Sequence, residues 1–100
     1  MSEQQQPAIV NNTQNQHFEM AVDNDIAFIE YRWYHGNLAL MHTQVPEAAQ
    51  GKGVAGALAT YAFNYAKENN LKVMVYCPYV AVWLKRHPEY ADLVDKKYQQ

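Results

Sequence analysis

The sequence predicts an α+β domain: an antiparallel strand meander followed by helix, strand and helix, with the helices packed on one central mixed sheet. Three observations carry that reading. Apolar and polar residues alternate along the first half of the chain, the period of half-buried strands. Beyond Gly53 the apolar spacing lengthens to that of a helix. A wholly apolar run then follows from Val73 to Tyr76, which reads as a strand covered on both faces.

Each element has its own signals. Residues 1–6 are polar and rich in Gln, too poor in apolar surface to fold, so a disordered tail is expected there and a single domain over 7–97. Ile9 and Val10 suggest a short edge strand, and Asn11 to Asn15 a turn-rich stretch. From His17 onward Phe18, Met20 and Val22 alternate with polar neighbours. Asp23-Asn24-Asp25 turns the chain into a strand from Ile26 to Tyr34, rich in β-branched and aromatic residues. His35-Gly36-Asn37 closes the next hairpin, and the strand from Leu38 to Val45 ends at Pro46, which has no N–H for a ladder.

The helical half is equally legible. Val54, Leu58, Tyr61 and Tyr65 line one face of a helix, with Ala55, Ala62 and Ala66 beside them. Lys67 and Asn69-Asn70 mark its end. Pro78 suits the first turn of a second helix continuing through Arg86, and His87-Pro88-Glu89 opens a short third one reaching Leu93. The strands starting near Leu38 and Lys72 are expected to be parallel neighbours, joined by the long helix.

Composition narrows the function. One hundred residues make one domain with one core. Leu, Ile, Val and Phe total only 21, but a net charge of −2 is too small for disorder, and eight Tyr, two Trp and four Met add apolar bulk. Eight basic residues against ten acidic leave no footprint for a nucleic-acid backbone. The first residues show no secretory signal, and the longest uncharged apolar run, Val73 to Leu84, is too short for a bilayer and contains Pro78. A cytoplasmic protein without membrane contact is expected. A single cysteine excludes an internal disulfide and a cysteine-based zinc site, and no metal is expected.

The most informative stretch is Gln50-Gly51-Lys52-Gly53-Val54-Ala55-Gly56, which opens the long helix. A helix start presents unpaired N–H groups and about half a positive charge, so it attracts anions. No acidic residue stands between Glu47 and Glu68 to satisfy that end from within, and Lys52 adds positive charge. Gly51-x-Gly53-x-x-Gly56 matches the dinucleotide fingerprint, but no Asp or Glu occurs from Asn69 to Pro88, where that motif needs one. A phosphate-binding P-loop fails because Ala57 follows Gly56 where Lys is required.

Gln50-x-x-Gly53-x-Ala55 resembles the signature of the GNAT (Gcn5-related N-acetyltransferase) superfamily, at the family's place between a strand and a long helix. The surrounding Met41-His42-Thr43-Gln44-Val45-Pro46, Cys77-Pro78-Tyr79-Val80 and Arg86-His87-Pro88-Glu89-Tyr90 segments are similar to its small single-domain, YjdJ-type branch. The resemblance covers nearly all of residues 8–95 and implies a minimal GNAT-like fold. It also implies acetyl-coenzyme A as cosubstrate, with pyrophosphate held by backbone N–H groups of Gln50, Gly51, Lys52, Gly53, Val54 and Ala55. The pantetheine arm would pair near Gln44 and Val45, where two strands splay apart, and a backbone N–H would polarise the thioester carbonyl.

The resemblance implies an N-acetyltransferase acting on an amine, small or protein-borne; the other reading is a non-catalytic acyl-coenzyme A-binding module or regulatory subunit. A monomer or weak homodimer is expected. His42 suits a general base, imidazole being the side chain best fitted to exchange protons near neutral pH. Where the branch often carries Glu, this chain has Gln44, which accepts no proton. By resemblance Cys77 lies close to the coenzyme sulfur, as nucleophile or as acid for the departing thiolate. Lys85 and Arg86 fit a solvated helix face, whereas Tyr31, Trp33, Tyr61 and Tyr65 fit packing.

Overall fold

A computed structural model of the chain describes residues 8–95. The expected tail at 1–6, and residues 7, 96 and 97 of the expected domain, lie outside the described residues. Five strands form one mixed sheet in sequence order: β1 (Ile9–Asn12), β2 (His17–Val22), β3 (Asp25–Tyr34), β4 (Asn37–Gln44) and β5 (Val73–Val75). β1 to β4 pair antiparallel as a meander, and β4 and β5 are parallel, joined by helix α1 (Val54–Glu68). Helix α2 (Pro78–Lys85) follows β5 with Pro78 in its first turn, as the missing N–H of proline allows.

The alternation read from the sequence decides the two faces. Phe18, Met20, Ala27, Ile29, Tyr31, Leu38 and Leu40 point inward and join Leu58, Ala62, Phe63, Val80 and Trp83 of the two helices in one core. Phe18 is its hub: its ring stacks on Tyr31 at 4.6 Å and meets Tyr61 and Tyr65 at 5.4 Å each. No polar side chain is buried among the described residues. The outer face carries His17, Glu19, Phe28, Glu30 and His42, and no helix covers it among the described residues. Ala39 and Met74, partners in register, are nevertheless buried there, outside the main core. All three residues of β5 are thus covered on both sides, as its apolar run requires.

The β3–β4 register contains one irregularity that positions the site. Glu30 faces His42 while Tyr31 faces Leu40, leaving Met41 as an extra residue in β4. Such a bulge reverses the alternation beyond it. His42 and Gln44 therefore share the outer face with Glu30 and Phe28, and Thr43 faces inward opposite Ile29.

Several boundaries differ from expectation. Asn11 and Asn12 belong to β1, and the turn begins only after them, because both pair across to Phe18 and His17. The third helix is a 3₁₀ segment, Pro88–Leu93, and a second 3₁₀ turn occupies Glu47–Ala49. On α1 the most deeply buried residues are Leu58, Ala59, Ala62, Phe63 and Ala66, with Tyr61 and Tyr65 half-buried at the rim. No helix among the described residues is long and apolar enough to cross a membrane.

Candidate functional site

β4 and β5 run together for only three residue pairs, Leu38–Leu40 against Val73–Val75. The pairing ends at one atom: the Leu40 carbonyl accepts from the N–H groups of both Tyr76 and Cys77, each at 3.0 Å. β5 then turns into α2, whereas β4 continues to Gln44 paired with β3 alone. The two chains part there and open a notch in the sheet.

The start of α1 faces that notch. Gly53 caps the helix at φ +80°, a left-handed conformation that glycine adopts without steric cost, and no side chain caps the helix. The first intrahelical bond runs from Ala57 N–H to the Gly53 carbonyl at 3.0 Å. The N–H groups of Val54, Ala55 and Gly56 therefore donate to no carbonyl among the described residues. The first turn contains no acidic residue, and Lys52 beside it is exposed. A Cβ built on Gly51 or Gly53 would meet nothing within 4 Å, so an anion can approach the backbone there unobstructed. Gly56 lets α2 come close: its missing Cβ would lie 3.7 Å from the Tyr79 hydroxyl and 3.8 Å from Trp83 Nε1.

Notch and helix start share one cavity of about 410 Å³, within the range of small-molecule sites. It is lined by Thr43 and Val45 of the β4 end, Ala49 to Gly51, Gly53 to Gly56, and Tyr79. Burial first of all raises the pKa of the Tyr79 phenol; nearby Arg86 opposes the rise and Cys77 adds to it. The phenol is thus protonated at neutral pH and available as a donor.

The sequence-derived candidates divide among these surfaces. Val45, Gln50, Gly51, Gly53, Val54 and Ala55 line the cavity. The Gln50 backbone N–H is already used by the Glu47 carbonyl at 3.2 Å, and its side-chain amide donates to the Val45 carbonyl at 3.1 Å. Lys52 flanks the cavity without lining it. His42 and Gln44 are exposed on the outer face, and the His42 ring stands edge-on to Phe28 at 6.2 Å. Cys77 is buried at the N-cap of α2, its sulfur 3.1 Å from the Thr43 hydroxyl, and does not line the cavity.

Thr43, Ala49, Gly56 and Tyr79 were not among the sequence-derived site residues, although Thr43, Gly56 and Tyr79 stand within the motifs quoted for the resemblance and the glycine-rich turn. Thr43 carried a usable signal, since it lies two residues before Val45 and strand alternation places both on one face. Among the described residues no three His, Cys, Asp or Glu side chains cluster in a way that could hold a metal ion.

A mixed five-strand sheet that opens between two parallel strands, facing a glycine-rich helix start, is a GNAT-like α+β fold. The chain belongs to the GCN5-related N-acetyltransferase family, whose model matches residues 17–93. Among curated proteins it is similar to Protein NATD1 of Homo sapiens, 39% identical over 49 residues, covering 49% of this chain and 43% of that protein. Protein NATD1 of Xenopus tropicalis is 39% identical over 49 residues, 49% of this chain and 45% of that protein. Protein NATD1 of Danio rerio is 37% identical over 57 residues, 55% of this chain and 52% of that protein. The chain thus spans about half the length of the curated relatives it matches.

Proposed function

We propose that this protein is an acetyl-coenzyme A-dependent N-acetyltransferase, with the coenzyme in the cavity between α1 and the free edge of β4. The observation that carries this reading is the continuity of that cavity. One end has three N–H groups unpaired among the described residues, two unobstructed glycines and a flanking lysine, the donor set that a pyrophosphate needs. The other end has a strand edge without a partner strand, which suits an amide-containing arm. The coenzyme supplies the acetyl thioester; the chain supplies its placement and the proton transfers.

Two residue roles follow. The Tyr79 hydroxyl, protonated and on the cavity wall, is placed to give a proton to a departing thiolate. His42 and Gln44 flank the same notch from the outer face, so an acceptor amine arriving there meets the imidazole of His42 as base and the Gln44 amide as a hydrogen-bonding neighbour. The acceptor amine is then approached from the face opposite the coenzyme cavity.

Titration calorimetry with coenzyme A and acetyl-coenzyme A tests the reading. The native chain is expected to bind both, and Gly53→Ala to bind at least tenfold more weakly, because alanine at φ +80° costs about 1 kcal/mol and moves the N–H groups. No heat at millimolar ligand would sink the proposal. One observation favours the second reading, a non-catalytic acyl-coenzyme A-binding module: neither His42 nor Cys77 lines the cavity. Coenzyme binding with no thiol release across a panel of amines would decide for it.

A further inference from the structure

Cys77 is 2% exposed and lies outside the cavity lining, yet its sulfur is 3.1 Å from the hydroxyl of Thr43, which does line the cavity. Behind Cys77 the chain is close-packed: Val75 and Val80 are each at most 1% exposed, and the Cys77 N–H is tied to the Leu40 carbonyl. Among the described cavity-lining residues, Thr43 is the neighbour whose side chain hydrogen-bonds the thiol. That neighbour owes its inward direction to the extra residue Met41, which reverses the alternation just before it.

We propose that Thr43 is the gate between the cavity and Cys77, a positioning residue whose side chain holds the thiol by a hydrogen bond and decides by its bulk which reagents reach it. The gate rests on the coenzyme reading only for the identity of the molecule in the cavity; its geometry is independent of that reading. Thr43 sorts electrophiles by size: the native side chain shields the sulfur, and a smaller one opens a path from the cavity wall. No other thiol complicates the readout, because the chain has a single cysteine.

The test is alkylation of the folded full chain without coenzyme, followed by intact mass, using iodoacetamide and the bulkier N-ethylmaleimide. Thr43→Ala is expected to react at least tenfold faster than native, with the larger gain for N-ethylmaleimide. Thr43→Val, of nearly the same volume, is expected to stay within twofold of native. Should Thr43→Ala fail to fold, Thr43→Ser replaces it, with a gain of about threefold expected for loss of the methyl. The gate is overturned if the smaller variant reacts within twofold of native, or if Thr43→Val gains as much as it does. Adding coenzyme A to Thr43→Ala then addresses the other reading: at least fivefold protection supports coenzyme in this cavity. Its absence counts against that occupant and leaves the gate standing.

Discussion

Tyr31 is a single residue whose chemistry couples the core to pH. Burial, then the neighbouring Tyr65 and Tyr61, raise its phenol above the ordinary value of 10.0, although the hydrogen bond to Asn11 Oδ1 at 2.7 Å pulls the other way. A group whose pKa is raised by folding contributes stability that is complete below the unfolded value and lost as pH climbs to the folded one. The native chain should accordingly lose stability above pH 10, and Tyr31→Phe should flatten that loss while costing about 1 kcal/mol at neutral pH through the lost hydrogen bond. Melting temperatures of both proteins between pH 7 and 11 check it, and parallel curves would refute it. Tyr31 also shows what a lone residue reveals in sequence. Its packing role was legible from alternation with Trp33, but alternation could not say that Tyr31 is 2% exposed and Trp33 45%.

At the scale of elements, β4 carries the most consequence. Removing Met41 should abolish the bulge and restore simple alternation while leaving His42 opposite Glu30 on the outer face and Thr43 opposite Ile29 on the inner one. The expected result is a folded sheet, seen by amide exchange, that keeps the Thr43–Cys77 contact and the proposed coenzyme binding by calorimetry. Lost binding would show that the bulge itself, and not only the faces it sets, shapes the site. The bulge explains why the strands were readable and the site only partly so. Periodicity gives the identity of β2, β3 and β4 because each has one buried face, and apolarity gives β5 because both of its faces are buried. An inserted residue leaves no mark in an apolar-to-polar stretch such as Leu40-Met41-His42-Thr43; spacing puts Thr43 on the face of Val45, but that this face is the inward one emerged only from pairing. The glycine-rich start of α1 was legible for the opposite reason, since its chemistry is local: positive φ, missing side-chain caps and missing acidic residues all reside in consecutive positions. Tyr79 stood in a quoted segment without a role, because its place on the cavity wall depends on α2 packing against Gly56, a contact between segments far apart in the chain.

For the whole molecule, one core serves both the sheet and the two helices, so its hub should be a point of collective weakness. Phe18→Ala deletes a fully buried ring that touches three tyrosines, at a cost of about 3–5 kcal/mol. Small domains have roughly 5–15 kcal/mol in all, so this one change should remove a large fraction of it. Urea unfolding is expected to show a midpoint lowered by roughly 2 M with one cooperative transition. Separate transitions for meander and helices would show that the core is divided. The same economy bears on the site. The β1–β2 connection is a short turn, and the outer face has no covering helix among the described residues.

The sheet also has two unlike margins. At β5 the chain returns on itself: Val94 bridges Val73, and the Asp95 N–H donates to the Val73 carbonyl at 2.9 Å. At β1, nothing among the described residues pairs with the outer side of Ile9–Asn12. Regarded as a building block, such a sheet has a valence of one. Joined margin to margin with another copy through β1, it closes as a pair with no second margin of the same kind to continue from, so ladder growth stops at two and does not run on into a fibre.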